Sequence, residues 1–221
     1  MGPRRTYCGG VGLEHRLDYD WGELIEADAG TDPVALLERW LADAEANDVP
    51  EFNAMAVSTV DDTGRPRSRN VLLRGVDADG SLSFFTNRHS VKGRDLERHH
   101  DVCVLFSWLG IHRQVRIQGV ARPLGDAADD AYFASRPRES QIGAWASEQS
   151  TVIDGREALL ARVEEFTERF AGADVPRPPH WGGYAVQPVE FEFWQGRPSR
   201  LHDRLRFTSD GSEWCVERLS P

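Results

Sequence analysis

The chain has 221 residues, 24.8 kDa, 40% hydrophobic and 28% charged content, enough for one core but not for several full domains. A formal charge of -10 and a pI near 5.2 disfavour nonspecific binding to nucleic acid or an anionic membrane, so an anionic ligand needs a local basic pocket. No apolar run approaches the ~18 residues of a membrane span, and the start of the chain leads into polar residues, so a cytoplasmic protein is expected.

Residues 1–30 are polar and read as an irregular arm or lid, with residues 31–221 as a single domain. Asp32 followed by Pro33 is an N-cap with proline at the first helical position, and Leu36, Leu37, Trp40, Leu41 and Ala44 share one face as far as a stop near Asn47. Strands are expected at 54–60, 67–76 and 82–87, separated by turns at Asp61-Asp62-Thr63-Gly64 and Asp77-Ala78-Asp79-Gly80. Ser90 caps a short helix reaching about His99, and strands follow at 102–108 and 114–121. A helix at 126–135 precedes a loop at 136–150. Asp154 with Glu157 then makes a capping-box pattern for a helix carrying Leu159, Leu160, Val163, Phe166 and Phe170, with Gly172 as its C-cap. Prolines keep 175–179 extended, and strands at 189–194, 201–207 and 213–219 end the chain. Strand succession without long crossover helices predicts an α+β, mainly β fold: an antiparallel barrel with helices at its edges.

Of 26 basic residues, 25 are arginine and one, Lys92, is lysine. That lysine marks a site wanting a compact ammonium or is a chance survivor. Strict alternation puts Arg200, His202, Arg204 and Arg206 on one strand face, which reads as an anion pocket or as a solvated face. A histidine among arginines stays neutral and able to accept a proton. Arg69 and Arg74 have opposite parity, so both reach one ligand only if a bulge or strand end intervenes. Phe84-Phe85-Thr86-Asn87 with Ser90 and Lys92 joins an aromatic strand end to a helix N-terminus, either a capped helix or a phosphate site. Gln114 suits a planar heterocycle or a neighbouring strand. Cys8, Cys103 and Cys215 lack zinc spacing and read as buried or idle thiols; no metal is expected. Asp61-Asp62 and Glu164-Glu165 read as turn and helix surface. No GxGxxG, Walker, GxSxG or HExxH pattern occurs, so a borrowed cofactor is the expected source of chemistry.

Four stretches in order, RPRESQIGAWASEQS at 136–150, WGGY at 181–184, EFWQG at 192–196 and RLHDR at 200–204, carry a resemblance to the pyridoxine/pyridoxamine 5'-phosphate oxidase family. It spans about Arg4 to Pro221. The resemblance implies an FMN-binding split barrel, six antiparallel strands with flanking helices, working as a homodimer with FMN at the interface. It places FMN against Arg69, Asn70, Val71, Leu72, Leu73, Arg74, Phe85, Thr86, Lys92, Gln114, Gln149, Ser150, Trp194 and Arg204. Lys92 would meet the FMN phosphate. Arg74, Tyr132, Arg136 and Ser140 would clamp a substrate phosphate, Arg200 and His202 would be the catalytic pair over the substrate ring, and Arg4 and Tyr7 would belong to a closing arm.

The implied reaction oxidises pyridoxamine 5'-phosphate or pyridoxine 5'-phosphate to pyridoxal 5'-phosphate, with O2 consumed and H2O2 released. Another substrate, such as a phenazine precursor, or a noncatalytic flavin-binding role are the alternatives. Two positions depart from the family pattern: Arg74 stands where lysine is usual, and Val91 stands where an arginine precedes Lys92. Loss of that second cation implies weaker FMN retention unless Arg88 or His89 substitutes.

Overall fold

The computed structural model describes residue 19, residues 21–211 and residues 213–221. Asp32 accepts hydrogen bonds from the Val34 and Ala35 N–H groups, which starts a 14-residue helix with Pro33 at its first position. This helix is preceded by a short one, so they are α1 (Glu26–Ala29) and α2 (Pro33–Ala46). The strands β1 (Ala54–Val60), β2 (Pro66–Leu72), β3 (Gly75–Val76) and β4 (Leu82–Asn87) lead to α3 (Val91–Arg98). Then come β5 (Asp101–Trp108), β6 (Arg113–Pro123), α4 (Asp126–Ser135), α5 (Arg138–Ala146), α6 (Arg156–Arg169), β7 (Trp181–Gln195), β8 (Asp203–Ser209) and β9 (Trp214–Arg218).

All pairings are antiparallel, in the order β2-β1-β5-β6-β7-β4-β3, with β8 on β7 and β9 on β8. β7 is long enough to serve two partners on one edge: residues 181–186 pair with β4 and residues 190–195 with β8. The sheet curls so that alternate side chains, including Val57, Phe84, Val104, Phe106, Ile117, Phe191, Phe193 and Phe207, form one core that α2 covers with Leu37 and Trp40. A smaller cluster of Phe133, Ile142, Phe170, Val175 and Trp181 fixes α4 and α5 beside the start of β7.

Several expectations are corrected. The segment read as irregular arm contains α1, whose Ala29 is buried in the core. The strand expected over 67–76 breaks after Leu72, because Leu73 N–H bonds back to Asn53 while Arg74 N–H turns to Ser83. Residues 136–150 hold α5 instead of a loop, with Ile142 and Ala146 buried along it. The Asp154 capping box does not form; Gly155 occupies the N-cap with no side-chain bond, and α6 ends at Arg169 with Phe170 as its C-cap, two residues before Gly172. β7 begins at Trp181, eight residues before the expected strand. Its glycines are required by neighbours, since a Cβ on Gly182 would lie 2.5 Å from Arg88 and Asp129, and one on Gly183 would lie 2.8 Å from Phe85. Asp61 is buried in its turn, accepting from Thr63 and Arg65, and is not turn surface.

Candidate functional site

The end of β2 and the Leu73-Arg74 break deliver Asn70, Val71, Leu72 and Arg74 to one cleft of about 460 Å³. The opposing walls come from Phe85–Asn87 of β4, Lys92 of α3, Tyr132 of α4, Arg136, Ser140 of α5, Gln149 and Trp181. The volume is that of a small-molecule or cofactor site. The strand end expected from parity is therefore what lets Arg74 enter: it leaves the alternation of Arg69 and turns toward Tyr132, 5.9 Å above its ring.

Lys92 is buried at 8% exposure and donates to Gln149 Oε1 at 2.6 Å, Thr86 Oγ1 at 2.8 Å and the N-cap Ser90 Oγ at 3.3 Å. All three acceptors are neutral. Burial, with Arg69 nearby, lowers its ammonium from the usual 10.5 to about 8. Arg136 is also pushed down by burial and by Arg74, lies 4.9 Å from the Trp181 ring, and leaves its buried Nη1 without a hydrogen bond. Phe85 stacks on Tyr132 at 3.9 Å and on Trp181 at 5.3 Å, giving the cleft a near-parallel aromatic wall.

Supports lie just behind this wall. Asp129, fully buried, accepts from Gly183 N–H at 2.7 Å and from Arg88 Nη2 at 2.6 Å, tying α4 to β7. The same Arg88 Nη2 also donates to Leu124 O, while its buried Nε is unbonded; Arg88 does not line the cleft and so does not replace the cation missing at Val91. The His89 ring instead neighbours His180.

A second set of expected residues lies outside the cleft. Gln114, Trp194 and Arg204 are register partners across β6, β7 and β8. Glu192 accepts from Arg204 at 2.7 Å and from Arg116 at 2.7 Å. Arg206 is paired with Glu217 at 2.6 Å. The four-cation face is therefore not an anion pocket: β8 begins only at Asp203, Arg200 sits in a left-handed turn with Ser199, and two of the arginines are neutralised. His202 packs 4.6 Å from Trp194 and 5.5 Å from Tyr19. Its Nδ1 accepts the Arg197 N–H at 3.1 Å, which puts the proton of the neutral ring on Nε2. The expectation of a proton acceptor is thereby changed: the free nitrogen is a donor. Burial first, then Arg200, keeps His202 below its usual pKa, against an opposing effect of Asp203.

Arg69 lies behind Lys92 and does not line the cleft; Leu73 is in the core, and Ser150 follows Gln149 with a φ of 72°. Arg4 and Tyr7, like Cys8, lie outside the described residues. Asn87 and Trp181 line the cleft without having been assigned a role, although both lie within stretches that the sequence singles out. Among the described residues no group of three or more metal-ligating side chains gathers, and no helix is long and apolar enough to cross a membrane.

The curled antiparallel sheet with flanking helices is that of the FMN-binding split barrels. Solved structures of this shape include PhzG from Burkholderia lata in complex with tetrahydrophenazine-1-carboxylic acid, with TM-score 0.83, 36% identity, and 88% of this chain and 95% of that one covered. An FMN-binding protein related to pyridoxamine 5'-phosphate oxidase from Nostoc punctiforme shares the fold at TM-score 0.70 and 17% identity, covering 87% of this chain and all of that one.

The chain belongs to the pyridoxamine 5'-phosphate oxidase family, a family of oxidoreductases. The family pattern of that description matches residues 41–170, and the pattern described as the pyridoxine 5'-phosphate oxidase C-terminal dimerisation region matches residues 181–221. The pyridoxine/pyridoxamine 5'-phosphate oxidase of Burkholderia multivorans is 54% identical over 209 residues, covering 93% of this chain and 97% of that one. That of Bordetella avium is 52% identical over 207 residues with the same coverage.

The cleft fits a phosphorylated flavin. A buried ammonium with only neutral acceptors and an orphaned guanidinium nitrogen on the same cleft are cations without anionic partners, while Arg69 behind the ammonium keeps Asp95 at 3.8 Å.

Proposed function

We propose that the protein is an FMN-dependent oxidase converting pyridoxamine 5'-phosphate and pyridoxine 5'-phosphate to pyridoxal 5'-phosphate, with O2 as acceptor and H2O2 as co-product. The observation that carries this is the presence of two cationic positions on one aromatic-walled cleft, Lys92 with only neutral acceptors and Arg69 behind it, and Arg136 with an unbonded buried nitrogen and Arg74 nearby. Two such positions suit two phosphates, one on the flavin and one on the substrate. In this reading Lys92 and Arg69 hold the FMN phosphate, while Asn70, Val71, Leu72, Phe85, Thr86, Gln149 and Ser150 shape the flavin site. Arg74, Arg136, Tyr132 and Ser140 hold the substrate phosphate. The chemistry supplied by bound FMN is hydride acceptance followed by reoxidation with O2. The chain's own contribution is to orient the reacting carbon and exclude water.

Gln114, Trp194, Arg200, His202 and Arg204 do not line the cleft, and all but Gln114 fall in the stretch matched to a dimerisation region. This supports a homodimer in which a second copy brings them to the cleft. Arg200 would then orient the substrate ring, and His202 would donate from Nε2 to a substrate heteroatom. The residues before the core-buried Leu24, with Arg4 and Tyr7, are proposed as the arm over the completed site, and the rest of the chain, α1 included, as the domain that carries it.

The likeness to PhzG favours one second reading, oxidation of a reduced phenazine carboxylate, whose carboxyl group would take the place of the substrate phosphate at Arg74 and Arg136. The test is turnover in air by FMN-supplemented protein, following pyridoxal 5'-phosphate and peroxide together. Equal appearance of both from pyridoxamine 5'-phosphate is expected. Bound FMN with no product from either B6 phosphate, alongside oxidation of the phenazine, would transfer the assignment to the second reading.

A further inference from the structure

Behind Lys92, four polar side chains from three elements meet at a position that no substrate role occupies. Asp95 of α3 is 6% exposed and accepts the Thr59 hydroxyl proton at 2.7 Å on Oδ2. Thr59 of β1, 1% exposed, in turn accepts from Arg69 Nη1 at 2.8 Å, and the same nitrogen reaches Val57 O at 3.1 Å. Because Asp95 takes the only proton of the threonine hydroxyl, the oxygen is left as a pure acceptor facing Arg69. Arg69 Nη2 stands 3.8 Å from Asp95, and neither Nη2 nor Nε has a hydrogen bond among the described residues. Nη1 is thus held by the fold and Nη2 faces Asp95, while Nε has no hydrogen bond among the described residues.

The arrangement has two further consequences. Lys92 and Asp95 stand three residues apart on α3, so the helix that Ser90 caps presents the ammonium and anchors the arginine from one side. Arg67 Nη1 shares Asp95 at 3.4 Å but is secured by Asp61 at 2.9 Å, and its side chain is 45% exposed, so it adds charge without competing for Thr59. A flexible arginine loses more rotamer freedom on binding an anion than one already held.

We propose that Thr59 and Asp95 are positioning residues that preset Arg69 and thereby make the flavin site selective for a flavin carrying a 5'-phosphate. This rests on the reading that Arg69 and Lys92 hold the FMN phosphate. Neither residue touches the ligand; both act through the orientation of Arg69. A purely structural role for Thr59 would weaken phosphorylated and unphosphorylated flavins alike, whereas a relay to Arg69 weakens only the phosphorylated one.

The experiment measures dissociation constants of FMN and riboflavin by flavin fluorescence on the full-length protein, wild type against Thr59→Val, Thr59→Ser and Arg69→Ala. The expected result is a loss of about tenfold in the preference for FMN over riboflavin in Thr59→Val, the scale of one hydrogen bond to a charged group. Thr59→Ser restores the preference, and riboflavin binding stays within about twofold of wild type. If Thr59→Val does not fold, Thr59→Ala removes the same hydroxyl with less volume and is held to the same outcome. An unchanged preference in the hydroxyl-deleted protein, with a lowered one in Arg69→Ala, overturns the relay and leaves the flavin site standing. An unchanged preference in Arg69→Ala as well overturns both the relay and the placement of the FMN phosphate.

Discussion

The basic residues of the cleft and those of the β7–β9 region are alike in type and opposite in circumstance. On β7–β9 the arginines are matched to carboxylates: Arg204 and Arg116 to Glu192, Arg206 to Glu217, and Arg218 to Glu26 and Asp203. In the cleft Lys92 meets only hydroxyl and amide oxygens, and Arg136 keeps a buried nitrogen unbonded and has no carboxylate in ion-pair distance among the described residues, whereas Arg206, whose Nε is likewise unbonded, has Glu217. A row of cations along a strand therefore says little about anion binding until its partners are counted. Charges that the fold has already neutralised hold elements together, while charges it leaves desolvated and uncompensated await a ligand.

The sharpest way to break this distinction is to delete one member from each region. Glu192→Ala leaves Arg116 and Arg204 facing each other without their shared carboxylate and should cost about 3 kcal/mol of stability, read as a shift in the denaturation midpoint. Lys92→Met should leave the ligand-free protein at least as stable, because it removes a buried ammonium whose folded-state pKa lies below the unfolded value. Its cost should instead appear in FMN affinity, about 100-fold by flavin fluorescence, the upper scale of a bond to a charged group. Equal stability losses in the two variants would remove the distinction.

Within the cleft, Arg136→Ala should separate the two phosphate positions. A fall of about 10- to 100-fold in kcat/KM for pyridoxamine 5'-phosphate is expected, with FMN affinity unchanged. Loss of FMN binding in this variant would place Arg136 on the cofactor.

The two regions should also respond to opposite ends of the pH scale. Burial alone would raise the Glu192 carboxyl, but the Arg116 and Arg204 bonds bring its net shift downward, and the Arg218 bond holds Glu26 at about 2. Their contribution is present above the ordinary carboxylate range and is lost as pH falls through the lower folded values, so acid should loosen the β7–β9 side, together with the β1–β2 turn, where Thr63 and Arg65 hold Asp61 at about 2 as well. For Lys92 the sign reverses. From about 8 to 10.5 the unfolded chain binds the extra proton, so the ligand-free protein gains stability as pH rises through that window. FMN binding should weaken over the same window by up to about tenfold per unit, as the phosphate must draw a proton back onto Lys92. Riboflavin, lacking the phosphate, should show no such slope.

Much of the frame was legible in the sequence because local and tertiary preferences agree there. Asp32-Pro33 starts α2 and Ser90 starts α3, and alternation in 54–60 and 82–87 matches β1 and β4. The errors fall where tertiary packing overrides a local signal. The Gly182-Gly183 pair and Pro188 depress strand propensity in β7, yet the glycines are there because Arg88, Asp129 and Phe85 leave no room for a Cβ. Gly143 and a proline N-cap hid α5. The cleft residues came from the family resemblance and not from spacing, since 70, 92, 136 and 149 converge only through the fold. Parity misled at Arg200 and His202 because a left-handed turn precedes β8, a backbone state that ordinary residues seldom reveal in sequence.

The smallest expected effect concerns Val91. It is the first residue of α3, where free N–H groups already favour an anion, and it stands immediately before Lys92. An arginine there would add a cation to a site that neither Arg88, held by Asp129, nor His89, beside His180, supplies. Val91→Arg should tighten FMN by several-fold at low salt, with the gain shrinking as salt rises because a half-exposed charge is screened more than the buried Lys92. Measured beside Lys92→Met at two salt concentrations, the pair ranks a peripheral cation against a desolvated one. An unchanged FMN dissociation constant in Val91→Arg would mean that Lys92 and Arg69 already meet the electrostatic need of the phosphate, and that desolvation rather than the number of cations sets the affinity.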